Sequence, residues 1–101
     1  MPGSDLTVFF RPAGVAVIGA SQEPQKLGHG VVRNLKSVHY DGPVYPVNPH
    51  EEEILGYRVY PSIEAVPDPV DLAVIVVPAP RVAAQIEACG KRGIKGAIIP
   101  S

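Results

Sequence analysis

Val15-Ala16-Val17-Ile18-Gly19-Ala20-Ser21, followed by Lys26, Gly28 and Gly30, decides the fold of this chain. A short β-branched apolar run stops at a glycine, crosses a small polar loop and enters a segment with helical spacing. The pattern predicts a strand, a phosphate-sized turn and a helix N-terminus. At a helix start the first N–H groups lack intrahelical partners and the macrodipole is positive. A phosphorylated ligand suits such a place.

Around this centre, apolar runs and helical segments alternate. Val31, Leu35 and Val38 fall on one face at i, i+4, i+7, with Val32 beside them, which predicts a helix over 27–39. Residues 44–47 read as a second strand ended by Asn48-Pro49, and Glu51-Glu52-Glu53 as a solvated loop. Tyr57 to Tyr60 reads as a short edge strand, and Ser62 as the N-cap of a short helix carrying Ile63 and Val66. Asp71 to Val77 lacks alternation, as expected of a strand covered on both faces. Pro80 suits the first turn of a long helix whose inner face is Val82, Ile86 and Cys89, stopped at Gly93. Residues 96–99 begin a last strand, and Leu6 to Phe10 form an apolar segment before the first. This order implies an α/β domain with a doubly wound, mainly parallel five-stranded sheet and flanking helices. Ligands of such sheets bind outside the carboxyl ends of the strands, where the strand order reverses.

Composition narrows the function classes. The chain has 101 residues, 46% hydrophobic and 19% charged, with a formal net charge of −1. That is the balance of one globular domain, without the basic field of a nucleic-acid partner. No apolar run reaches the roughly 18–20 residues of a membrane span, and residues 1–5 lack the pattern of a secretory signal. One cysteine, Cys89, forms no internal disulfide, so a reducing, cytoplasmic setting is expected. Cys89 reads as core filler. The three histidines have no second ligand at metal spacing, so no metal site is expected. Twelve prolines, more than double the usual ~5%, stand mostly at the ends of apolar runs, where a missing N–H is tolerated.

The loop departs from the dinucleotide fingerprint. G-x-G-x-x-G with an acid ~20 residues on is replaced by a longer turn from Gly19 to Gly28 with Pro24 inside. Asn48-Pro49 stands where the acid belongs, which disfavours NAD.

Phe10-Arg11-Pro12, Val15 to Ser21 and Lys26-Leu27-Gly28 together resemble the CoA-binding domain that opens ADP-forming acyl-CoA synthetases. Gly42 to Pro49, Tyr60-Pro61-Ser62, Pro69 to Pro78 and Cys89-Gly90 extend the resemblance to nearly the whole chain from about residue 6. The α-subunit of succinyl-CoA synthetase is a more distant relative that shares Val77-Pro78-Ala79-Pro80. The resemblance implies a Rossmann-like fold holding coenzyme A or acyl-CoA across the carboxyl edge of the sheet. Gly19, Ala20 and Ser21 would face the phosphates, with Lys26 as the nearest cation for the pyrophosphate or the 3′-phosphate and Gly28 in the same loop. Val47, Asn48 and Pro49 would border the nucleotide, and Val77, Pro78, Ala79 and Pro80 would wall the adenine or pantetheine. Ile99, Pro100 and Ser101 would point to the thiol end. Where the succinyl-CoA relative carries a lysine after its second strand, this chain has His50 and three glutamates. That loop therefore lacks the cation for a 3′-phosphate.

The resemblance places no catalytic residue here, because the family passes phosphate through a histidine in a later domain. Residues 1–101 are thus expected to be one CoA-binding domain, an N-terminal piece of a longer chain, associating with further domains or subunits and into an oligomer. Three other readings stand beside the ligase. They are a nucleotide-sensing regulatory domain of a protein lysine acetyltransferase, a stand-alone CoA-binding protein, and a domain of an NAD-binding oxidoreductase.

Overall fold

The computed structural model describes residues 9, 11–38 and 40–100. Of the expected N-terminal apolar segment only Phe9 is among them; Leu6, Phe10, His39 and Ser101 lie outside the described residues. Strand β1 (Val15–Ile18) is central, with all four side chains buried. It pairs in parallel with β2 (Val44–Val47) on one side and β5 (Leu72–Ile75) on the other. β6 (Gly96–Ile98) adds beyond β5, giving the order β2-β1-β5-β6. The strands are short, and the continuous burial of β1, β2 and β5 follows from helices on both faces, whereas β6 is buried only at Gly96.

Alternation along β1 divides the core. Val15 and Val17 face helix α1 (Leu27–Ser37) and pack with Val32, Leu72 and Val74. Ala16 and Ile18 face the opposite layer, where Ile63, Val66, Ala73, Ile75 and Cys89 converge. That layer holds helix α2 (Ala79–Arg92) and a 3-10 turn at Ile63–Ala65. The Asp71 carboxylate accepts the N–H groups of Ala13 at 2.9 Å and Gly14 at 3.3 Å, fixing the entry into β1.

The sheet has four strands, not five. The segment expected as an edge strand closes instead a separate hairpin, β3 (Glu53–Ile54) with β4 (Tyr57–Arg58). Leu55 and Gly56 turn it, both at positive φ, and the Val59 N–H is drawn to Glu52 O. Only Tyr60 reaches the main sheet, bridging to Val47. Glu53 is therefore part of a strand rather than of a loop. Beside this bridge the outer side of β2 is closed, since the Pro46 carbonyl accepts from Tyr60 N and the Tyr60 carbonyl from Asn48 N, each at 2.9 Å. The outer side of β6 carries no strand among the described residues.

Both helices are rolled relative to the sequence expectation. In α1 the buried residues are Gly28, His29 and Val32, whereas Val38 is 69% exposed at the C-cap. A Cβ on Gly28 would collide with the Gly19 carbonyl, so the helix approaches the sheet on its Gly28 side. In α2 the inner face runs through Val82, Gln85, Cys89 and Arg92, and Ile86 is left 45% exposed. Arg92 fixes that roll by donating to Val66 O at 2.8 Å and to Asp68 at 3.0 Å. Gly93 ends the helix at φ 86°, and Ser62 makes no side-chain cap.

Candidate functional site

After β1 the chain turns back toward β2, whereas β5 lies on the other side of β1, so the carboxyl ends of β1 and β5 part there. A crevice opens at such a reversal of strand order. It is a cleft of about 540 Å³, walled by Gly19, Ala20 and Ser21 on one side and Val76, Val77 and Pro78 on the other. Lys26, Leu27 and Gly28 close its α1 end. A second cleft of about 320 Å³ continues toward β2 and the inner face of α2, past Val47, Asn48 and Pro49. The two share Gly19, Asn48, His50, Val77 and Arg81 and form one groove. Each is within the ~300–1,000 Å³ of small-molecule sites.

The loop is held rigidly. Gly19 has φ 92°, where L side chains are strained, and a Cβ there would collide with Val76 O. Its N–H is bonded to Val47 O at 3.0 Å. Ser21 is buried, and its Oγ accepts the Glu23 N–H at 3.0 Å. The hydroxyl proton remains available to a ligand. The Asn48 amide donates to Ala20 O at 2.8 Å while its Oδ1 accepts from His50 N at 2.7 Å. Asn48 thus staples the loops after β1 and β2. The buried His29 ring sits 3.0 Å from Ser21 O through Nδ1. A carbonyl only accepts, so Nδ1 carries the proton, and His29 braces the loop.

Both long helices begin at the groove. α1 has no side-chain cap and no acid in its first turn, and neither has α2. Among the described residues the N–H groups of Leu27 and Gly28 make no hydrogen bond. Two positive helix ends thus face one cleft, that of α1 with free donors, an arrangement suited to anions.

Of the residues singled out in the sequence, Gly19, Ala20, Ser21, Lys26, Gly28, Asn48, Val77 and Pro78 meet in the larger cleft. Val47 and Pro49 line the smaller one. Ala79 and Pro80 occupy the exposed first turn of α2, and Ile99 stands 49% exposed beyond β6; none of the three lines the groove. Lys26 is paired with Glu23 at 3.3 Å. Sequence reasoning missed Glu51 and Arg81. Arg81 was findable, because the first turn of a helix following a parallel strand always faces the carboxyl edge. Tyr45 packs edge-on against Tyr60, with centroids 5.8 Å apart, and Cys89 is core. Burial, and after it the charge of Glu64, pushes the Cys89 thiol above its ordinary pKa.

Comparison with known proteins gives a consistent result. The CoA binding domain family matches residues 13–101. The chain is 50% identical over 94 residues to the acetate–CoA ligase [ADP-forming] II subunit alpha of Pyrococcus furiosus, covering 93% of this chain and 20% of that one. It is 48% identical to the acetate–CoA ligase [ADP-forming] of Methanocaldococcus jannaschii, over 94% of this chain and 13% of that one. Among solved structures, the dinucleotide-forming acetyl-coenzyme A synthetase 1 of Ca. Korarchaeum cryptofilum, in complex with phosphate and ADP, superposes with a TM-score of 0.88. It shares 47% identity over 91% of this chain and 20% of its own. The chain therefore spans a fifth or less of the length of these relatives.

Proposed function

The chain belongs to the CoA-binding domain family, and from that premise we propose that it holds coenzyme A or an acyl-CoA along the carboxyl edge of its sheet as part of an ADP-forming acyl-CoA synthetase. The parent reaction is acyl-CoA + ADP + phosphate ⇌ carboxylic acid + ATP + CoA. This domain contributes binding and presentation of the thioester, and further domains or subunits carry the phosphoryl chemistry. Association into an oligomer belongs to the same proposal.

The groove at the β1–β5 reversal, with two helix N-termini facing it, carries this reading. The pyrophosphate lies against Gly19, Ala20 and Ser21, receiving the free N–H groups of Leu27 and Gly28 and the Ser21 hydroxyl proton. The adenosine occupies the smaller cleft beside Val47, Asn48 and Pro49. Val77 and Pro78 form an apolar wall poor in donors, and pantetheine runs along the same edge toward Ile99.

Titration calorimetry of the 101-residue chain with CoA and with NAD tests the assignment. Binding of CoA with at least ~10-fold preference is expected, since the Asn48 amide offers a ribose no carboxylate. Equal or tighter binding of NAD would overturn it.

A further inference from the structure

Coenzyme A carries two kinds of phosphate, the diphosphate that joins its halves and a monophosphate on the ribose 3′ oxygen. The Gly19–Ser21 loop and the α1 N-terminus account for the first. The second needs a cation of its own beside the ribose. The groove holds two permanent cations, Lys26 and Arg81, against the carboxylates of Glu23, Glu51 and Glu64. Lys26 lies at the α1 end and is paired with Glu23. Among the described residues the Arg81 guanidinium takes part in no ion pair or side-chain hydrogen bond. Arg81 also stands where the two clefts join, lining both, opposite Asn48 and His50. That junction lies between the phosphate loop and the adenosine cleft, where the ribose must sit.

Resting on the CoA reading above, we propose that Arg81 binds the ribose 3′-phosphate and so makes the groove selective for CoA over nucleotides that lack this group. Its planar fork matches two phosphate oxygens at once, which the Lys26 ammonium cannot do. The first turn of α2 holds its backbone, with the Arg81 N–H bonded to Pro78 O at 2.8 Å, so the side chain reaches the junction from a rigid base.

The test is calorimetry of the 101-residue chain and its Arg81→Gln and Arg81→Lys variants with CoA and with 3′-dephospho-CoA. Charge-assisted hydrogen bonds at a partly exposed site are worth about tenfold in affinity. The unsubstituted chain is expected to prefer CoA by about that factor. Arg81→Gln should weaken CoA about tenfold, leave dephospho-CoA within about twofold, and keep the melting temperature; Arg81→Lys should restore part of the preference. An equal loss for both ligands in Arg81→Gln, or a loss for neither, would overturn the inference while leaving the CoA reading intact. Failure of the unsubstituted chain to bind either ligand would remove both.

Discussion

A methyl group added at Gly28 would meet the Gly19 carbonyl, and one added at Gly19 would meet Val76 O. Each glycine is therefore a place where backbone touches backbone beneath the groove. Gly28→Ala should destabilise the chain by about 1–3 kcal/mol and weaken CoA at least ~10-fold, read by thermal unfolding and calorimetry. Unchanged affinity would show that the α1–loop contact does not shape the site. Ser21→Ala is milder. It removes the acceptor for Glu23 N, costing about 0.5–1.5 kcal/mol, and takes from the ligand one donor. Cys89 gives a pH dependence. Burial raises its thiol pKa in the folded chain, so above the ordinary thiol range, about pH 8.5, the folded state retains a proton that the unfolded state has lost. Stability is full below that range and falls as pH rises through it. Cys89→Ala should flatten that alkaline slope in denaturant titrations; an unaltered slope would place its origin in other groups. At this scale the sequence was informative about Gly19 and Ser21, whose types suit a tight anion-facing turn. It was silent about Asn48 as a staple, because that bond joins residues 28 positions apart.

Helix faces were half legible. Periodicity located α1 and α2, but it reads apolar side chains and cannot weigh a glycine that permits close approach or an arginine that anchors from the flank. Hence Val38 and Ile86 were expected inside and stand outside, while Gly28 and Arg92 set the roll. A paired substitution reads this directly. Ile63→Ala, at the one fully buried position of the 3-10 turn, should cost about 2–5 kcal/mol. Ile86→Ser should shift stability by less than ~0.5 kcal/mol. Comparable losses would mean that Ile86 is covered in solution. The hairpin of β3 and β4 escaped the sequence because Leu55 adopts φ 52°, a conformation that leucine does not advertise.

For the whole molecule, the alternation of elements gave a parallel α/β sheet, and the order β2-β1-β5-β6 then fixed which loops meet. Order depends on which faces the crossovers cover, so the junction occupied by Arg81 emerges only in three dimensions. Because the role proposed for the groove is binding alone, incubation of the 101-residue chain with ATP should leave it without phosphohistidine. A stable phosphorylated histidine would contradict a purely binding domain. Finally, the two rims of the sheet are unlike. At β2 the Pro46 nitrogen has no hydrogen to offer and its carbonyl is already taken by Tyr60, whereas among the described residues no strand pairs with the outer side of β6, where Ile98 is exposed. Among the described residues the sheet is thus extensible at one rim. A strand spliced in by an engineer would dock alongside β6, and deuterium should enter the amides there sooner than those of β1.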